Sequence, residues 1–324
     1  MSGAFSKNEA DSMTAKTIKL LGMTLALSTA LGSGAFAQDA ACNTVTMSDV
    51  GWTDITTTTA TARHILEGLG YDVDVKVLSV PVTFASLESD DVDIFLGNWM
   101  PSQQAAIQPY LDSGEIESVA VNLDGTKYNL AVPTYLYDEG LKTYEDLPKF
   151  KDQLDSKIYG IEPGNEANTF LVDEAEKGAE GLGGFEVVES SEQGMLAMVG
   201  RAYKSQDPIV FLGWAPHPMN ANYDIQYLKG GEDFFGGEGQ VHTVTRKGYV
   251  EECPNVGQLL NNMKFSLDME NKIMGQILDE GEEAGDATEA WLKANPDQWE
   301  GWLDGVNTVD GKPGLPAVKE SLGL

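Results

Sequence analysis

Three tryptophans stand in short stretches that each contain an apolar run: Ser48-Asp49-Val50-Gly51-Trp52-Thr53-Asp54, Phe95-Leu96-Gly97-Asn98-Trp99-Met100-Pro101 and Phe211-Leu212-Gly213-Trp214-Ala215-Pro216-His217. Each apolar run reads as a strand, and each indole as a ring presented beyond the strand end, beside helix-starting residues. Open α/β sheets bind ligands beyond the carboxyl ends of their strands. Indoles converging there suit a cation with no hydrogen to donate, because a ring face attracts it by roughly 0.5–2 kcal/mol. A quaternary ammonium is such a cation, and carboxylates alone would hold it only at a desolvation cost. For one tryptophan, core packing is the plainer reading; for three at strand ends, a box is. Tyr128, at the start of another strand-like run, is a fourth candidate wall. Trp291, Trp299 and Trp302 cluster late in the chain and read as anchors for C-terminal helices.

Two polar residues fall at the same expected cleft edge. Asp54 precedes an apolar-periodic helix and Asn165 stands in Pro163-Gly164-Asn165-Glu166, so helix N-capping is the local role of both. A cap at a cleft edge can also meet a ligand, and a carboxylate reverses the positive sign of a helix start. The polar end of the ligand then matters. Choline ends in a hydroxyl and glycine betaine in a carboxylate. A carboxylate about 4 Å from Asp54 would cost on the order of 4 kcal/mol at an effective dielectric of 20, whereas a hydroxyl gains a charge-assisted hydrogen bond. No arginine lies near these motifs, and His217 reads as structural rather than as a carboxylate donor. If Asp54 lines the pocket, choline is favoured.

The elements that must position these residues alternate. Strand-like segments at 44–47, 73–78 and 92–96 are separated by helix-like ones at 55–69 and 84–87, and a helix follows at 103–113. A second set has strands near 128–132, 158–161, 185–188 and 208–212, with helices at 167–177 and 192–204. Helices then dominate, at 256–264, 267–278 and 288–294. Such alternation predicts βαβ units around a mostly parallel sheet. Phe-Leu-Gly followed by Trp closes each set, so two lobes each offer an indole to a shared cleft. Cys42 and Cys253 are the two cysteines, and in an oxidising compartment an even pair reads as one disulfide. Closing so long a loop is worth at most about 5 kcal/mol in the chain-entropy model. That bond would place both ends in one lobe. The expected division is therefore 38–122 as the first part of lobe one, 123–221 as lobe two, and 222–324 as the rest of lobe one with the C-terminal helices.

The first 37 residues read as a cleaved export signal: Lys16 and Lys19, then an apolar run from Leu20 to Leu31, then Ala35-Phe36-Ala37, with Met13 a possible start. The expected destination is the periplasm. A formal net charge of −30 over 324 residues argues against nucleic acid and anionic membranes and suits a cationic ligand. His64, His217 and His242 lack metal-ligand spacing. No nucleophile elbow, phosphate loop or complete dinucleotide fingerprint is present, so no cofactor, metal or catalytic residue is assigned.

The stretches Asp49-Val50-Gly51-Trp52-Thr53-Asp54, Gly97-Asn98-Trp99-Met100-Pro101, Tyr128-Asn129-Leu130-Ala131-Val132-Pro133, Gly160-Ile161-Glu162-Pro163-Gly164-Asn165 and Gly213-Trp214-Ala215-Pro216-His217 carry a resemblance. The chain resembles the substrate-binding proteins of bacterial glycine betaine/choline ABC importers over about 42–310. That resemblance implies an α/β, two-lobed, type II-like binding protein of the Venus-flytrap kind. It implies an aromatic box of Trp52, Trp99, Tyr128 and Trp214, hydroxyl contacts from Asp54 and Asn165, and a Cys42–Cys253 disulfide. It further implies a monomer that passes choline, and acetylcholine or betaine more weakly, to an inner-membrane ABC permease with its ATPase. Within the class the alternative is a glycine betaine or proline betaine receptor for osmoprotection. Outside it, the alternative is an exported hydrolase using carboxylates not yet placed.

Overall fold

The structure, a computed structural model, describes residues 40–324; the expectations for the first 37 residues lie outside them. Its strands are β1 (Thr44–Asp49), β2 (Asp72–Val77), β3 (Ile94–Met100), β4 (Ile116–Pro133), β5 (Lys157–Tyr159), β6 (Glu186–Val188), β7 (Phe211–Ala215), β8 (Ile225–Tyr227) and β9 (Gly239–Arg246). They are ordered β2-β1-β3-β9-β4-β7-β5-β6, with β8 on β4. The sheet is mixed, which corrects the expectation of a mostly parallel one. The βαβ pairs β1–β2, β1–β3, β5–β6 and β5–β7 are parallel, while every pair involving β4 or β9 is antiparallel.

β4 joins the two parallel halves. Its first part, Ile116 to Thr126, pairs with β9, and Lys127 to Ala131 pairs with β7. The expected division at 122/123 falls inside this strand. β9 brings the late chain back beside β3, which is why the segment after it packs with the first half.

The main helices are α1 (Thr53–Gly68), α2 (Val80–Glu88), α3 (Gln104–Ser113), α4 (Glu166–Lys177), α5 (Glu192–Ser205), α6 (Pro254–Asn262), α7 (Leu267–Leu278), α8 (Ala284–Ala294) and α9 (Gly314–Leu322). α1 contains the run Thr56–Thr59, a poor helix former. Tertiary burial sustains it: Ile55, Ala62, Ile65 and Leu66 are buried between the strands and α7, α8 and α9. Trp299 is fully buried with its indole N–H on the Leu292 carbonyl at 2.8 Å, and Trp302 packs edge-on against Phe265. These rings belong to the C-terminal helical layer. Cys42, just before β1, and Cys253, just before α6, are joined by a disulfide with Cα atoms 5.6 Å apart.

Candidate functional site

The shared Phe-Leu-Gly has a packing cause. A Cβ on Gly97 would lie 2.7 Å from the Phe95 ring and 2.9 Å from Ile55 of α1; one on Gly213 would lie 2.9 Å from the Ala131 Cβ. Only glycine lets α1 close on β3, and β4 lie flush against β7, at the two places that carry the indoles. Trp99 and Trp214 are the penultimate residues of β3 and β7, not loop residues beyond them as expected. Each is followed by a cis peptide bond one residue on, at Met100–Pro101 and Ala215–Pro216. Tyr128 lies well inside β4 rather than at a strand start, directly across from Trp214 in the antiparallel ladder. Cross-strand partners share a face of the sheet. The Tyr128 ring therefore stands between the two indoles, 6.1 Å from Trp99 and 6.3 Å from Trp214, both edge-on. Phe235 supports it from behind at 5.1 Å.

Trp52 occupies the N-cap position of α1, where a side-chain acceptor would ordinarily stand. Asp54 is thus not the cap; it sits inside the first turn of α1. One oxygen accepts the Trp99 indole N–H at 2.9 Å, and the other has no partner although the group is only 1% exposed. Burial, then the nearby charge of Glu192, pushes this carboxyl up to about 8 against the pull of the indole N–H. Asn165 does cap its helix, accepting from the amides of Ala167 and Asn168, and the Tyr128 hydroxyl donates to the same oxygen at 3.4 Å.

Trp52, Asp54, Trp99, Tyr128, Asn165 and Trp214 all line one cavity of about 340 Å³, mouth included. Two further lining residues escaped sequence reasoning. Glu166 has a buried oxygen without a partner, and burial pushes its carboxyl up to about 7. Gln103 is 1% exposed and neither amide atom is bonded. Among the described residues, no lysine or arginine lines the cavity. Glu270, buried in α7, stands close enough for the charge of Asp54 to raise its own carboxyl further.

A second set of carboxylates ties the two halves of the sheet together beside the cavity. The Thr53 amide at the start of α1 donates to Glu192 at 2.8 Å. Glu192 therefore supplies from α5 the cap that α1 lacks, with charge favourable to a helix start. Its other oxygen meets His217 Nε2 at 3.0 Å; His217 Nδ1 accepts the Met219 amide, so the ring hydrogen is on Nε2. Glu162 accepts the Trp52 indole N–H at 2.9 Å and the Glu192 amide at 3.0 Å. His217 is thus structural, as its residue type suggested. The roles of Glu162 and Glu192 had no sequence signal, since a glutamate in a helix-start motif is ordinary.

A mixed α/β sheet with parallel halves joined through β4 and β9, and an aromatic, acid-lined cavity at the junction, defines the class of solute-capturing domains that serve ABC importers. The chain belongs to one family of that class, the substrate-binding domain of ABC-type glycine betaine transport systems, whose model matches residues 43–294. It is 59% identical to an ABC-transporter choline binding protein solved in complex with choline, with a TM-score of 0.85 over 87% of this chain and 99% of that one. An unliganded, semi-closed structure of an ABC-transporter choline binding protein matches at 59% identity and a TM-score of 0.81, over 88% of this chain and 100% of that one. A glycine betaine/carnitine transport binding protein of Listeria monocytogenes is 34% identical over 122 residues, 38% of this chain and 40% of that protein.

Proposed function

We propose that this chain is the choline receptor of an ABC importer, holding the trimethylammonium group between Trp52, Trp99, Tyr128 and Trp214. One observation carries the choice: among the described residues, the lining of the aromatic cavity includes two carboxyl groups, Asp54 and Glu166, and no cationic side chain. A trimethylammonium gains from rings and carboxylates alike. A hydroxyl satisfies the free oxygen of Asp54, and Asn165, whose oxygen is committed to its helix, is left its amide hydrogens for the same group. The carboxylate of a betaine would face two acids and no counter-charge.

In this reading the two halves of the sheet act as lobes, 38–122 with 222–324 and 123–221, and close on the ligand by a hinge through β4. Residues 1–37 act as the export signal, Cys42–Cys253 forms in the periplasm, and the monomer delivers choline to a membrane permease and its ATPase. Glycine betaine remains the second reading for a specific reason. A proton held on Asp54, whose carboxyl is pushed up to about 8, would give a ligand carboxylate a donor.

The test is calorimetric titration of protein freed of ligand by unfolding and refolding, with choline and then glycine betaine. One-to-one choline binding at least about 10-fold tighter than betaine supports the proposal; that ratio is about 1.4 kcal/mol. Betaine binding more tightly would overturn the choline assignment and keep the box. Heat from neither ligand would overturn both.

A further inference from the structure

We infer that Gln103 is a ligand-contacting, specificity-determining residue that donates a hydrogen bond to the ligand's hydroxyl oxygen. This rests on the choline reading and deepens it. The side chain lines the same cavity as Asp54 and is 1% exposed, yet both its amide nitrogen and its amide oxygen lack partners. Buried carboxamides normally have at least one hydrogen bond, and leaving one unmade is costly. Its local use is declined: Gln103 occupies the N-cap position of α3 but makes no side-chain cap bond. Its backbone is fully committed, the amide donating to the Trp99 carbonyl at 2.9 Å and the carbonyl accepting from Ile107 at 3.0 Å. The main chain thus fixes the base of a side chain whose polar head is left for something that enters the cavity.

The chemistry of that something follows from Asp54, the other unpartnered group lining the cavity. Once ionised, Asp54 offers only an acceptor, whereas Gln103 brings an N–H donor. A hydroxyl serves both, giving its hydrogen to Asp54 and taking one from Gln103. An alkyl group serves neither, and a carboxylate serves Gln103 alone while meeting the charge of Asp54. The pair therefore selects quaternary ammonium alcohols over quaternary ammonium ions that lack the hydroxyl.

The experiment titrates wild type and Gln103→Met, of near-equal volume, with choline and with ethyltrimethylammonium, and records the thermal unfolding of both empty proteins. Choline affinity should fall about 10-fold in the variant, as for loss of one buried hydrogen bond, while ethyltrimethylammonium affinity stays within about twofold. The Tm of the empty variant should hold or rise, since an unpartnered polar group has been replaced by an apolar one. Equal losses for both ligands, or unchanged choline affinity, would overturn the inference, as would a lowered Tm. Gln103→Ala should repeat the selective loss, which guards against a methionine that disturbs the box. Wild type binding neither cation would instead overturn the choline reading itself.

Discussion

Two buried polar clusters lie side by side in this molecule and treat their hydrogen bonds in opposite ways. Around Glu192, both carboxylate oxygens are used, by the Thr53 amide and by His217, and both oxygens of Glu162 are used as well. Around Asp54, one oxygen of Asp54, one of Glu166 and the whole amide of Gln103 are unused. Both clusters are rich in acid, so charge does not distinguish them. Satisfaction does. A fully bonded buried carboxylate is part of the architecture, while unbonded buried groups around an aromatic cavity mark what a ligand must bring. The first cluster is a strap between the halves of the sheet, and the second lines the cavity proposed above to take the ligand.

Breaking the strap should have the largest effect. Glu192→Ala strands the Thr53 amide and the His217 Nε2–H without acceptors, at roughly 1–3 kcal/mol each, so stability should fall by about 4 kcal/mol. Chemical denaturation of the empty protein measures this, and an unchanged midpoint would show that the strap is not structural. Next comes the box. Trp214→Ala should weaken choline binding about 30-fold, the equivalent of a desolvated cation–π contact of about 2 kcal/mol, with Trp214→Phe recovering part of the loss. Trp299→Ala, in the C-terminal layer, should lower stability while the folded protein keeps its choline affinity; a converse pattern would mean the two groups of tryptophans had been exchanged.

The smallest effect is that of pH, and its sign separates the two ligands. Asp54 is raised to about 8 and Glu166 to about 7, above the ordinary values of 3.8 and 4.5 that the unfolded chain retains. The folded, empty protein therefore holds protons that the unfolded chain has released. Their contribution to stability is complete below about pH 4 and is lost as pH rises through 7 and 8. A bound cation favours the ionised carboxylates, so choline affinity should rise between pH 6 and 8, by several-fold, with proton release. Calorimetry in buffers of different ionisation enthalpy reads that release. Glycine betaine should show the opposite slope, and Asp54→Asn should flatten both. Parallel slopes for the two ligands would remove Asp54 from the ligand's surroundings.

Much of the fold was legible in the residues. Apolar periodicity placed α5 and α7 within a residue or two of their observed ends, and alternation found the parallel strands, although β3 and β7 begin and end two to four residues later than expected. β9 was missed, and so was the first half of β4. The ladder between them shifts register between Ser118 and Ala120, between Val121 and Leu123, and between Asp124 and Thr126. Such irregularities break the two-residue alternation by which a strand is read, and Asn122, Asp124 and Gly125 look like a turn.

Residue types alone single out where the unusual chemistry lies. Indoles after Phe-Leu-Gly runs, an acid at a helix start, a Pro-Gly-Asn turn and two cysteines stand out by type, and type does not depend on neighbours. Which polar atoms are left over is settled by packing. Gln103, Glu162, Glu166 and Glu192 are common residues in common contexts, and nothing local separates a partnered carboxylate from an orphaned one. Whether a buried group is satisfied depends on partners that lie up to 139 residues away in the chain, as for Thr53 and Glu192. Only the packing of the two halves against each other brings those partners within hydrogen-bond distance, or leaves them out of it.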